Sequence, residues 1–101
     1  MKTEFKDNIF TVYPEGRIDS ANAEATEAEI NKAREENPDG ELILDLTALE
    51  YISSAGLRVI VMLYKKVTSF GGKLKLIGVN DMIMEILTMT GMVDFLDIEK
   101  A

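Results

Sequence analysis

Glu41-Leu42-Ile43-Leu44-Asp45-Leu46-Thr47-Ala48-Leu49-Glu50-Tyr51-Ile52-Ser53-Ser54-Ala55-Gly56-Leu57-Arg58-Val59-Ile60 is the stretch on which the fold turns. Glu41 to Leu46 is a short apolar run typical of a central strand. Thr47 to Ser53 reads as a loop. A helix then opens at Ser53 or Ser54 and runs to about Phe70, where Gly71-Gly72 stops it. Lys73 to Val79 is a second strand. Strand, helix and strand in this order predict a right-handed parallel crossover.

Before this unit, Thr3 to Lys6 and Ile9 to Tyr13 read as two strands. Asp7-Asn8 between them suits a two-residue hairpin, because both residues tolerate positive φ. Asp19 or Ser20 is placed to cap a helix over Ala21 to Asn37. In that helix Ala23, Thr26, Ile30 and Ala33 share one face, and Glu24, Glu27, Lys32, Arg34 and Glu35 read as the wet side. Asn37-Pro38-Asp39-Gly40 ends it. After the unit, Asn80 or Asp81 caps a helix over Met82 to Thr90, and Val93 to Ile98 reads as a last strand. The order β-β-α-β-α-β-α-β predicts an α/β fold, one domain over residues 1–101, with a mixed sheet of 4–5 strands and three main helices.

Composition narrows the chemistry. The 101 residues are 47% hydrophobic, so a packed core is expected rather than disorder. There is no cysteine and no histidine, which removes a thiolate nucleophile, an imidazole base, a disulfide and a His metal ligand. Eleven basic and 18 acidic residues give a net charge of −7 with no basic stripe, so neither nucleic acid nor an anionic membrane is an expected partner. No apolar run is long enough to span a bilayer, and Met1-Lys2-Thr3-Glu4 begins no signal peptide, so the cytoplasm is the expected compartment. The nucleophile elbow, the phosphate loop and the dinucleotide fingerprint are all missing, and no EF-hand spacing exists. The reading is a protein that binds another protein, with no catalytic residues, no metal and no cofactor.

The two later helices carry the candidate surface. In the helix after Ser53, Leu57, Ile60, Val61, Tyr64 and Val67 share the core side. Ala55, Arg58, Val59, Met62 and Lys66 share the other. Val59 and Met62 are apolar where solvent is expected; either another helix covers them or they anchor a partner beside polar rim residues. In the last helix Ile83, Ile86, Leu87 and Thr90 read as core. Met82 and Met89 read first as gap-filling core residues and second as binding surface. Ser53 and Ser54 stand where backbone N–H groups lack partners, so each is a cap or a place for phosphate. Gly56 in the first helical turn implies a close approach to the backbone.

The segment from Asp45 to Ile60 resembles the signature of STAS domains, in particular bacterial anti-sigma factor antagonists. Gly16-Arg17-Ile18-Asp19 is similar to the family's earlier Gly-x-Leu/Ile-Asp segment, and Gly71-Gly72-Lys73-Leu74 and Thr90-Gly91-Met92 to its later glycine positions. The resemblance spans nearly the whole chain. The family often has Asp-Ser-Ser-Gly or Asp-Ser-Thr-Gly and is phosphorylated on the serine after the aspartate. That position is Ser54 here, with Ser53 in the aspartate's place and as second candidate acceptor. The resemblance implies a partner that is an anti-sigma factor with serine kinase activity, and a metal-dependent serine phosphatase that reverses the modification. It places Asp19 and Asp45 near Ser54, and with the residues read above the expected partner-binding set is Asp19, Ser20, Asp45, Ser53, Gly56, Arg58, Val59 and Met62. The other reading it leaves is a STAS interaction module without a kinase switch, acting as a scaffold or regulatory subunit.

Overall fold

The computed structural model describes residues 1–101. The hairpin forms as the sequence predicts. Strand β1 (Lys2–Lys6) and strand β2 (Ile9–Tyr13) pair antiparallel, and the turn between them has φ of 55° at Asp7 and 62° at Asn8. Two consecutive left-handed residues match the twist of the flanking strands, and Asp and Asn adopt them at little strain. The chain then forms β3 (Gly16–Ile18), α1 (Ala23–Ala33), β4 (Glu41–Asp45), β5 (Leu49–Ile52), α2 (Ser54–Ser69), β6 (Leu74–Val79), α3 (Asp81–Met89), a 3-10 turn at Met92–Asp94 and β7 (Asp97–Lys100).

Five strands make one sheet in the order β1-β2-β4-β6-β7, antiparallel at β1-β2 and parallel elsewhere. The register Phe10↔Leu42↔Leu74 and Val12↔Leu44↔Leu76 lines up the buried side chains in rows. The residues between them, Thr11, Ile43 and Lys75, are only half-buried. The core therefore lies on one face of the sheet, and the other face looks outward. Ile60, Leu63 and Val67 of α2, Ile83 and Leu87 of α3 and Ile30 of α1 close the core.

Several boundaries differ from the sequence reading. The first helix spans Ala23–Ala33 rather than 21–37, and its N-cap is Asn22, without a side-chain cap bond. Asp19 instead folds the turn before it: Asp19 Oδ1 accepts from the Ala21 amide at 3.0 Å, and Asn22 Oδ1 accepts from the Asp19 amide at 2.9 Å. Arg34 is buried, not on the wet side, because its guanidinium turns inward to carbonyls of the following loop. Leu49–Ile52, read as loop, is a strand, and it pairs in parallel with Gly16–Ile18 as a separate two-stranded sheet. The last strand starts at Asp97, since Met92–Asp94 is helical. Met82 and Met89 are exposed, 53% and 78%, so neither fills the core. No helix is long and apolar enough to cross a membrane.

Candidate functional site

The head of α2 sits where the small sheet meets the domain. The Ser53 amide donates to the Ile18 carbonyl at 2.9 Å, tying the residue before the helix to the end of β3. Ser53 has extended backbone angles, and its Oγ accepts from the Gly56 amide at 3.4 Å. Ser53 is thus the N-cap, satisfying one of the free donors of the first turn. Ser54 is the first helical residue. Its side chain is exposed and takes no part in the cap. The two serines, either of which the sequence offered as the start of the helix, have separate positions: Ser53 caps it and Ser54 stands exposed.

Gly56 owes its place to the domain's own atoms. A Cβ there would lie 2.5 Å from Ile52 Cγ1 and 3.0 Å from the Ile18 carbonyl oxygen. The close approach read from the sequence exists, but what approaches is the core, and Gly56 is buried. This corrects its assignment as a residue that touches a partner. Val59 needs the same correction. It is 4% exposed, because α1 packs along α2 and covers that side. Helix α2 is buried on two sides, by the sheet and by α1, so its closed arc is wider than a helix against one layer would have.

What stays open on α2 is a narrower stripe. Ser54, Arg58 and Met62 recur at intervals of four and share one face. Met62 is 43% exposed. Arg58 is exposed and forms no ion pair within the chain. It lines a groove of about 460 Å³ between the helices, with Ser20, Glu24 and Glu27 on the α1 side and Ala55 on its own helix.

The turn Asp19-Ser20 enters the same neighbourhood through Ile18, whose carbonyl meets the α2 head. Asp19 Oδ2 also pairs with Arg17 Nε at 3.4 Å. Asp45 is not part of this group. It follows Leu44 on β4, so it emerges on the opposite side of the strand. There its Oδ1 accepts from the Thr47 amide at 3.0 Å and its charge bears on Tyr13. The expectation that placed it near Ser54 is corrected by this alternation.

Two neighbours of the site escaped the sequence reading. Arg17 and Tyr51 face each other across the β3-β5 pair, with the guanidinium 4.7 Å from the ring centroid. Both are exposed, while Ile18 and Ile52, the pair that follows, are buried. The signal was the Gly16-Arg17-Ile18-Asp19 segment itself, in which the arginine alternates with a core isoleucine. Together these residues make an exposed rim of hydroxyls, arginines, an aromatic ring and a thioether. The chemistry it suits is contact with a protein surface.

Comparison with known proteins bears on the family and the fold. A family model described as STAS domain matches residues 1–101. BtrV of Bordetella bronchiseptica, which carries the name of an anti-sigma factor antagonist, is 35% identical over 85 residues, covering 84% of this chain and 72% of that protein. The crystal structure of a Thermotoga maritima protein described as an anti-sigma factor antagonist superposes with a TM-score of 0.91 at 22% identity, over 99% of this chain and 86% of that one. The anti-sigma factor antagonist SpoIIAA, solved in its unphosphorylated form, superposes with a TM-score of 0.74 at 16% identity, over 99% and 86%. At these identities the two structures bear on the fold.

Proposed function

Because the chain belongs to the STAS domain family, we propose that it is an anti-sigma factor antagonist whose docking surface surrounds the head of α2 and whose binding is ended by phosphorylation of Ser54. In this reading the unphosphorylated protein binds an anti-sigma factor that is also an ATP-dependent serine kinase, and a sigma factor is released. The kinase then transfers the γ-phosphoryl group of ATP to the Ser54 oxygen, leaving ADP, and the complex dissociates. A metal-dependent serine phosphatase hydrolyses the ester and restores binding. The chain itself supplies a surface and an acceptor hydroxyl, and works in the cytoplasm.

The observation that carries the proposal is the exposed Ser54 side chain on the first helical residue, free because Ser53 does the capping. A kinase can reach that hydroxyl without unfolding the helix. A phosphate adds roughly 1.5–2 negative charges at neutral pH. At a helix N-terminus those charges meet unpaired N–H groups, so the fold has no reason to change. A docked partner would meet bulk and charge inside a packed interface, where misplacement costs several kcal/mol. About 3 kcal/mol is already more than a hundredfold in affinity. Arg58, Met62, Asp19 and Ser20 are the contacts assigned to the partner, with Ser53 at the rim.

The test is direct. The protein is incubated with its anti-sigma kinase and ATP, and phosphate is located by mass spectrometry. Binding of Ser54→Asp and Ser54→Ala is then compared by calorimetry. The proposal expects label on Ser54, weak binding by the aspartate variant, and unswitchable tight binding by the alanine variant. Absence of label at both serines, together with equal affinity of the two variants, would replace the switch with a constitutive scaffold.

A further inference from the structure

At the end of α2 remote from Ser54, some twelve residues or about 18 Å along the helix, lies a larger cavity of about 550 Å³. Asn31, Lys32, Arg34, Pro38, Lys66 and Phe70 line it, and Glu35 is its one acid. Three cations against one carboxylate reverse the balance of a chain whose net charge is −7. Lys32 and Lys66 are exposed, and neither joins an ion pair.

Arg34 is the unusual member. It is 3% exposed, yet no carboxylate pairs with it. Its hydrogen bonds both leave from Nη2, to the Pro38 carbonyl at 2.8 Å and the Gly40 carbonyl at 2.7 Å. Its Nε is sealed from solvent without a partner, and so is the Asn31 Oδ1. Two carbonyls hold the loop to the helix end, and the charge of Asp39 favours the guanidinium without forming an ion pair with it. Buried charges are ordinarily paired, because an uncompensated one is expensive to desolvate. Phe70, half-exposed at the end of α2, adds an aromatic wall.

We propose that this cavity binds a small organic anion, with a phosphate or carboxylate head held by Arg34, Lys32 and Lys66 and an apolar or aromatic body against Phe70 and Pro38. The Nη1 of Arg34, which makes no hydrogen bond within the chain, with two flanking ammonium groups suits either head group, and a concave site with one apolar wall selects against a bare ion. The site is independent of the role of Ser54.

The experiment titrates the full chain, followed by amide chemical shifts, with phenyl phosphate, benzoate, phenol and inorganic phosphate. Phenyl phosphate or benzoate is expected to saturate, with shifts gathered on residues 31–40 and 66–70, and the tighter of the two identifies the head group. Phenol and inorganic phosphate are expected to bind at least about tenfold more weakly. Arg34→Gln is expected to abolish saturation. Should that variant fail to fold, the double substitution of exposed Lys32 and Lys66 by Met keeps the test, with a loss of about tenfold or more in affinity. Shifts that scatter over the surface or never saturate, phenol binding as tightly as the anions, or a lysine double variant that binds like the parent would each overturn the proposal.

Discussion

The Ser53 amide donates to the Ile18 carbonyl at 2.9 Å, so the residue that caps α2 is fastened to the strand that delivers Asp19. That bond joins parts of the chain more than thirty residues apart. It makes the turn at Asp19-Ser20 and the exposed Ser54 parts of one surface.

Capping and exposure can be separated by mutation. Ser53→Ala removes the acceptor of the Gly56 amide and is expected to lower stability by about 0.5–1 kcal/mol, at the small end for a cap because the bond is 3.4 Å long. Ser54→Ala is expected to change stability by less than about 0.5 kcal/mol. Urea denaturation of the two variants reads the difference. A reversed order would show that Ser54, not Ser53, closes the helix.

Gly56→Ala tests the fit between the α2 head and the small sheet. In an open helix the change would stabilise by about 1 kcal/mol. Here the new methyl would meet Ile52 Cγ1 at 2.5 Å and the Ile18 carbonyl oxygen at 3.0 Å, and backbone cannot step aside as a side chain end can. A net destabilisation of about 1–3 kcal/mol is expected, measured by the denaturation midpoint at unchanged slope. A gain in stability would refute the close approach.

Val59 and Met62 should behave differently although both were candidates for the same surface. Val59→Ala leaves a cavity between α1 and α2 and is expected to destabilise by about 2 kcal/mol. Met62→Ala is expected to leave stability within about 0.5 kcal/mol while weakening partner binding about tenfold. Thermal melts combined with calorimetry against the partner decide it. A Met62 variant that melts early and binds normally would remove Met62 from the proposed interface.

Tyr13 provides a pH signature on the outward face of the sheet. Desolvation first, then the hydrogen bond to Glu4 and the charges of Glu4 and Asp45, raise its phenol above the ordinary 10.0. A phenol with a raised folded-state value contributes stability that is fully present below the unfolded value. That contribution is lost as pH rises through the folded one. Alkaline titration of Tyr13 by NMR is expected to give a midpoint above 10.0, and Glu4→Gln should lower it only in part, since burial is the leading cause. A midpoint at or below the ordinary value would contradict the geometry of the hairpin.

Much of the fold was legible because the signals are local. Asp7-Asn8 announced a hairpin through the φ preferences of two residues. Leu42-Ile43-Leu44 announced a central strand through an unbroken apolar run, although only one face of it is covered, and Gly71 a helix stop, with a left-handed φ of 80°. The β3-β5 pair was not legible. Strands of three and four residues carry too few alternations to show a period. They exist because Gly16 meets Leu49, and Ile18 meets Ile52, across a long sequence separation. Arg34 was misread for a related reason: helical spacing places it on the wet side, and only the return of the loop at Pro38–Gly40 supplies the carbonyls that draw it in.

The sequence by itself determined the order of the three helices and of the five strands of the main sheet, the charge balance, the absence of thiol and imidazole chemistry, and the serine pair at a helix start. These follow from residue identity and from preferences that act within a few residues. Tertiary structure decided which serine caps and which stands free, that Val59 and Gly56 lie inside while Met62 lies outside, and that Asp45 leaves by the opposite face. Each of those depends on which surface packs against which. Burial is set by neighbours distant in the chain, and a periodic pattern names a face of a helix without naming what will cover it.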